Sequence, residues 1–164
     1  MLFCNRIKRL SVKQFFVLFW VFAKRPQYIF PTHTATIQSI QISEKYFLEK
    51  HHKHGKENAF RHALWNVLIA KNCFKPNRNP QDLADWEEKT TSLHEKLAPN
   101  EPLETAMDLH NNYIGRQIFL NEKLYKKTVE EINAILLKRM EDAVKVENIE
   151  EIANFPNKMV YLED

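Results

Sequence analysis

Three short segments of the chain are rich in side chains that bind metals or transfer protons. They read FRHALWN at residues 60–66, LHE at 93–95 and MDLHNNYIGR at 107–116. Each segment holds one histidine, with carboxylates, amides and arginines around it. Histidine and carboxylate side chains are the usual ligands of zinc and the usual general acids and bases. The sequence therefore predicts a metal centre or an acid–base site.

The reaction that these side chains favour is hydrolysis. A divalent metal such as zinc, held by His62, His94 and His110, would lower the pKa of a bound water to about 7 and make it a nucleophile. In a metal-free version, one histidine is the general base and Asp108 holds it in a chosen tautomer. We expect the catalytic side chains to be His62, His94, Glu95, Asp108, His110, Asn112 and Arg116. We expect the substrate, membrane-associated or phosphate-containing, to be bound by Arg61, Trp65, Asn66 and Asn111.

Helical periodicity decides which of these side chains point together. Successive residues of a helix turn by about 100°, so Asn58, His62 and Asn66 lie on one stripe. A surface helix usually carries Lys and Glu on its polar side, whereas these residue types suit a partly buried hydrogen-bond network. The alternative is a polar face that caps neighbouring turns. His94 lies at the edge of an apolar stripe, where a structural histidine is the other expectation.

A second helical face combines residues that are poor helix formers. Asp108, Asn111, Asn112 and Gly115 recur at i, i+3, i+4 and i+7. Because Asp, Asn and Gly lower helix stability, their presence on one face needs a reason. Gly115 would let another backbone or a ligand approach closely. His110 lies on the opposite, apolar side, facing the core or a cleft, so the polar residues could form two sites.

Helices joined by Pro- and Asn-rich turns are predicted to position these segments. The chain has only 2 glycines in 164 residues, which excludes glycine-rich nucleotide-binding loops. Apolar periodicity predicts helices over 32–50, 57–73, 83–97, 103–120 and 121–146. An N-terminal helix, interrupted by Pro26 and Pro31, precedes them. We predict one all-α domain of about six helices with a short extended C-terminal tail, and a solvated turn at 51–56.

The basic residues are concentrated at the N-terminus. Residues 1–56 carry a net charge of +8 and the remainder −5. The apolar run 15–23 lies between basic residues and is too short to span a bilayer. It predicts an uncleaved helix that lies on an anionic membrane surface or docks on the core. A cleaved signal peptide and a short membrane anchor are the alternatives.

The same composition predicts partners and location. We expect residues 1–30 to form a basic, apolar helix associated with the membrane, and residues 31–164 to form the helical domain. The motif-bearing part is acidic, which argues against nucleic acid as a partner. Cys4 and Cys73 are far apart and predict no disulfide framework, which favours a reducing compartment. We expect a cytoplasmic protein, peripheral at the inner face of the membrane.

The three motifs together resemble a known family. They occur as NAFRHALWN, TTSLHEKL and AMDLHNNYIGRQ between about residues 55 and 120. This ordered set, RHAxWN, LHE and MDLHNNxxGR, is similar to a bacterial family of uncharacterised helical domains, classified only as a domain of unknown function. Members occur as short stand-alone proteins and as C-terminal parts of longer secreted, in some cases toxin-like, proteins. The candidate pocket that the resemblance implies comprises Arg61, His62, Asn66, His94, Glu95, Asp108, His110, Asn112, Gly115 and Arg116.

The resemblance implies no activity, so a second interpretation stands beside the hydrolase. The polar cluster would then be a structural network that fixes helix register. A buried network whose hydrogen bonds are satisfied can specify a unique core without performing chemistry. Such a domain would act by binding a partner or a membrane.

Overall fold

The computed structural model of the chain describes residues 20–97 and 100–163. The long helices are α1 (Ile29–Phe47), α2 (Lys56–Cys73), α3 (Pro80–Leu97), α4 (Pro102–Asn121) and α5 (Val129–Glu141), and one short helix, α6 (Ile149–Ile152), follows. Single 3-10 segments lie at Pro26–Tyr28, Leu48–His52 and Leu124–Lys126. Two short parallel strands, β1 (Val144–Lys145) and β2 (Val160–Tyr161), close the C-terminal tail. The predicted all-α fold with a short extended tail is confirmed.

Helix α2 is the centre of the domain. It packs against α1, α3, α4 and α5, because apolar side chains cover almost its whole circumference. A helix that is apolar on most sides is buried on most sides, so the polar residues within it are buried as well. Asn58, His62 and Asn66 are each at most 3% exposed. The burial of α2 therefore takes the polar stripe predicted from the sequence into the interior.

Helices α2 and α4 touch backbone to backbone at Gly115. A Cβ atom at this position would lie 2.5 Å from the carbonyl oxygen of Ala63 and 2.8 Å from its Cα. Glycine is needed here because any side chain would push the two helices apart. This contact confirms the close approach predicted at Gly115 and brings Asp108 and Asn112 of α4 next to α2.

The long helix predicted over 121–146 is wrong at both ends. The chain turns after α4, where Lys123 takes a left-handed conformation with a φ of 52°. Helix α5 then begins behind Thr128, whose side chain caps the helix reciprocally with Glu131. This S/T-x-x-E capping box is a start signal that outweighs the uninterrupted helix-forming composition. Beyond Glu141 the chain extends into β1.

The residues just before α1 pack on the domain. Tyr28 is 2% exposed, and its ring and that of Phe22 lie 5.1 and 5.5 Å from the ring of Trp86. Pro31 lies in the first turn of α1 and does not interrupt it, because the first N–H groups of a helix need no helical acceptor. Residues 1–19 of the predicted N-terminal helix lie outside the described residues. Within the described part, no helix is long and apolar enough to cross a membrane.

Candidate functional site

Three helices bring one histidine and two carboxylates together. Helix α2 contributes His62, α3 contributes Glu95 and α4 contributes Asp108. The Nε2 atom of His62 lies 3.2 Å from Oδ1 of Asp108, and its Nδ1 atom lies 4.0 Å from Oε1 of Glu95. The three residues are 3 to 4% exposed. Each of the three sequence motifs thus contributes one of these side chains, at the end of the bundle where α2 and α4 begin and α3 ends.

The hydrogen bonds of His62 define its tautomer. The Nη2 atom of Arg61 lies 2.9 Å from Nε2 of His62. A guanidinium group can only donate, so Nε2 accepts and carries no proton. The proton is then on Nδ1, which donates to Oδ1 of Asn112 at 3.3 Å. Burial, and next the charge of Arg61, hold the pKa of His62 well below its usual value, which agrees with a neutral ring.

Two acceptor atoms therefore lie close together at the centre of the site. The Nε2 atom of His62, which accepts from Arg61, and Oδ1 of Asp108 are 3.2 Å apart. Among the described residues, no donor is aligned for a hydrogen bond to this buried Asp108 oxygen. Burial raises the pKa of Asp108 from 3.8 to about 6, against the opposing charge of Arg61. A proton or a cation between the two atoms would remove this unfavourable contact.

The same geometry fits a divalent metal ion. One ligand atom from each of His62, Glu95 and Asp108 lies within 4.8 Å of the other two. Two ligands at metal distances of about 2.0–2.2 Å are roughly 3.4 Å apart in a tetrahedral site, close to the 3.2 Å between His62 and Asp108. A neutral imidazole and carboxylate oxygens are the donors that zinc and manganese accept. The residues present therefore fit such an ion.

A second buried network, made of hydrogen bonds, adjoins this cluster at His62. The amide nitrogen of Asn66 donates to Oδ1 of Asn112 at 2.7 Å and to the carbonyl of His62 at 3.0 Å. The amide oxygen of Asn66 accepts from Thr91 at 3.4 Å and from Arg116 at 3.3 Å. These bonds tie α2 to α3 and α4 from the inside. We call this set the amide brace, because it fixes the helix that carries His62.

The three histidines expected to form a metal set do not converge. In the described part of the chain, His62 belongs to a group whose ligand atoms lie within 4.8 Å of one another, whereas His94 and His110 belong to none. His110 instead lies beside an open groove with Tyr113 and Ile149, and its Nε2 atom is 2.8 Å from the carbonyl of Lys158. The reason is helical geometry, because His110 is two residues from Asp108 and points to the other side of α4.

Other residues predicted for the site lie outside the cluster of His62, Glu95 and Asp108. Asn111 donates to the carbonyl of Val160 at 2.8 Å and accepts from its N–H at 3.0 Å, so its amide holds strand β2. His94 is half-buried and lies edge-on to Trp65, with ring centroids 5.1 Å apart. Trp65 donates to Thr36 of α1 at 2.9 Å. Arg61 is partly exposed, and its Nε donates to the carbonyl of His51 at 3.1 Å.

Sequence reasoning missed several buried polar residues. His51, expected in a solvated turn, is fully buried and lies 3.0 Å from the carboxylate of Glu44. Glu87 is fully buried, and among the described residues neither of its oxygens has a hydrogen-bond partner. Burial raises the pKa of Glu87 well above its usual value. The sequence signal for the burial of Glu87 is its position four residues after Leu83, on the apolar stripe of α3.

The chain belongs to the family described as domain of unknown function DUF6973, whose model matches residues 19–144. This match covers helices α1 to α5 and the three clustered residues His62, Glu95 and Asp108. No curated protein and no solved structure matches the chain.

Proposed function

We propose that the chain is a metal-dependent hydrolase whose divalent ion is held by His62, Glu95 and Asp108. The observation that supports this most directly is the pair of acceptors, Nε2 of His62 and Oδ1 of Asp108, buried 3.2 Å apart. Among the described residues, Oδ1 of Asp108 is buried without a hydrogen-bond donor, and a buried acceptor without a donor costs free energy. Of the three histidines expected as ligands from the sequence, this set keeps His62. The carboxylates of Glu95 and Asp108 take the places of the other two.

The charges around the site are consistent with this role. Two carboxylates beside a neutral imidazole would balance a divalent ion. The ion would supply an activated water at neutral pH. Asn112 accepts from the Nδ1–H of His62, and the second partner of a ligating histidine fixes its ring orientation in this manner. The amide brace in turn holds Asn112.

Arg61 makes two contacts that bear on this proposal. Its Nη2 atom donates to the Nε2 atom that would ligate the ion, so the guanidinium group has to release that nitrogen when the ion binds. Its Nε atom is held independently by the carbonyl of His51, which keeps the side chain at the site. A partly exposed guanidinium beside a metal would bind an anionic substrate group such as a phosphate or carboxylate.

Hydrolysis of chromogenic esters tests the proposal. Metal-stripped chain is assayed with p-nitrophenyl phosphate and p-nitrophenyl acetate, before and after addition of Zn²⁺ or Mn²⁺. We expect hydrolysis only with metal, and a fall to the background rate in Asp108→Asn and Glu95→Gln. Glu87→Gln is the matched control, since it neutralises another buried carboxyl group outside the cluster. Hydrolysis that is independent of metal, or unchanged in Asp108→Asn, would contradict the proposal.

The amide brace favours a second candidate, a non-catalytic domain. The brace links three helices through buried hydrogen bonds, and such a network needs no substrate to explain it. His62→Ala and His110→Ala separate the candidates. If the fold survives both substitutions and only His62→Ala abolishes metal binding, the site interpretation stands. If His62→Ala unfolds the chain and the folded wild type binds no metal, the structural interpretation stands.

A further inference from the structure

One end of the folded domain presents apolar side chains to solvent beside basic ones. Phe30 is 82% exposed, Trp20 61% and Ile29 44%. Lys24 and Arg25, between them in sequence, are exposed as well. We call these five residues the docking surface. Single exposed apolar residues are common, but a cluster of this kind marks an interaction site.

The docking surface is held in place by its own buried side. Tyr28 and Phe22 pack on Trp86, and the indole N–H of Trp86 donates to Thr32 in the first turn of α1 at 3.1 Å. The backbone that carries Phe30 and Ile29 is therefore part of the domain. Their exposure follows from the fold and is a fixed property of this surface.

The charge of the segment indicates the kind of partner. Residues 1–30 contain 6 Lys and Arg and no Asp or Glu. Trp, Phe and Ile beside Lys and Arg is the composition of segments that lie in the interface of an anionic bilayer. Basic residues near such a surface are attracted by its negative potential. An acidic protein would match the charge, but it would not require three large apolar side chains at the same place.

We propose that the docking surface binds the surface of an anionic lipid bilayer. Phe30, Ile29 and Trp20 would enter the headgroup region, while Lys24 and Arg25 contact lipid phosphates. This places the membrane contact on the folded domain as well as on the segment that precedes it. The contact is peripheral, since it uses side chains from one end of the domain.

The proposal also fixes how the candidate site faces the membrane. Arg78 links the docking end to the end of α2, with its guanidinium 4.8 Å from the Tyr28 ring and 2.6 Å from the Cys73 carbonyl. His62 lies eleven residues before Cys73, which is about 16 Å along the helix. The candidate site therefore lies away from the docking surface, toward the other end of α2. This step rests on the proposed function, and it predicts a water-soluble substrate instead of the membrane-associated one considered from the sequence.

Co-sedimentation of the full chain with vesicles tests the docking. We expect the chain to pellet with mixed phosphatidylcholine–phosphatidylglycerol vesicles, weakly with phosphatidylcholine alone, and less as salt rises. Phe30→Glu and the pair Lys24→Glu, Arg25→Glu should each lower the bound fraction several-fold without lowering the melting temperature. Ile149→Glu is the matched control, because Ile149 is 46% exposed on α6, and it should bind as the wild type does.

Three results would overturn the docking proposal. They are equal binding to both kinds of vesicle, binding unchanged by Phe30→Glu, and pelleting without vesicles, which would make a second copy of the chain the partner. Asp108→Asn should bind vesicles normally, so failure of the hydrolase proposal and failure of docking are distinguishable. For the orientation, Mn²⁺ affinity should be the same for free and vesicle-bound chain, and a loss on docking would contradict it.

Discussion

At the scale of single residues, the proposed chemistry depends on His62 and Asp108. Burial moves their pKa values in opposite directions, lowering that of His62 and raising that of Asp108 to about 6. Ionisable groups whose pKa values are strongly shifted by burial and by a nearby charge are typical of acid–base and metal sites. Both effects come from the packing of α2 and α4, so a change in either residue is expected to alter pH dependence.

Asp108→Asn should change how stability depends on pH. The pKa of Asp108 is higher in the folded chain, so folding takes up a proton and this contribution to stability is full below about pH 4. It is lost as pH rises through about 6, and a shift of about 2 pKa units corresponds to about 3 kcal/mol. Urea unfolding in EDTA at several pH values, compared between wild type and Asp108→Asn, measures it. Parallel profiles for the two proteins would contradict the prediction.

Arg61→Met should strengthen metal binding. The Arg61 guanidinium donates to Nε2 of His62 and repels a cation at the same place. Methionine keeps much of the side-chain volume and removes the charge. We expect a lower dissociation constant for Mn²⁺ by calorimetry, together with weaker binding of an anionic substrate. A weaker Mn²⁺ affinity in this variant would mean that Arg61 supports the site in some other way.

At the scale of helices and strands, the α2–α4 contact at Gly115 aligns the motifs. Gly115→Ala should destabilise the chain by about 1–3 kcal/mol, because the new Cβ would clash with backbone atoms of Ala63. Helix propensity alone predicts the opposite sign, a gain of about 1 kcal/mol. The urea midpoint therefore decides between the two effects. An increase in stability would show that the helices do not touch at this position.

Asn111→Ala should loosen the C-terminal strand without affecting the cluster of His62, Glu95 and Asp108. The side chain of Asn111 donates one hydrogen bond to the carbonyl of Val160 and accepts another from the N–H of Val160. Hydrogen exchange of the peptide that contains 159–161 should become faster. Tyr113→Ala, at an exposed position of the same helix, should leave it unchanged. Equal exchange in Asn111→Ala and wild type would contradict the role.

Local pattern predicted some elements well and others poorly. The apolar stripe of α2 predicted a helix over 57–73, one residue short of Lys56–Cys73. The helix predicted over 121–146 missed the capping box at Thr128, although that signal is local. The proposed ligand set was harder to predict from the sequence. Which carboxylate reaches His62 depends on how three helices pack, and no spacing within one segment contains that information.

At the scale of the whole molecule, the C-terminal tail packs on His54, in the loop before α2. The N–H of Leu162 donates to the carbonyl of His54 at 2.8 Å, and the N–H of His54 donates to the carboxylate of Glu163 at 3.1 Å. The side chain of His54 in turn lies 3.1 Å from Glu104 on α4. The tail lies beyond the residues that match the family model. Its contacts connect the end of the chain to the loop before α2.

Calorimetric titration of the EDTA-stripped full chain with Mn²⁺ tests whether His62, Glu95 and Asp108 hold a divalent ion. We expect wild type and Glu87→Gln to bind one ion that Asp108→Asn does not, because the carboxylate of Asp108, unlike that of Glu87, lies beside Nε2 of His62. No binding to the wild type, or equal binding to wild type and Asp108→Asn, would contradict a metal at His62, Glu95 and Asp108.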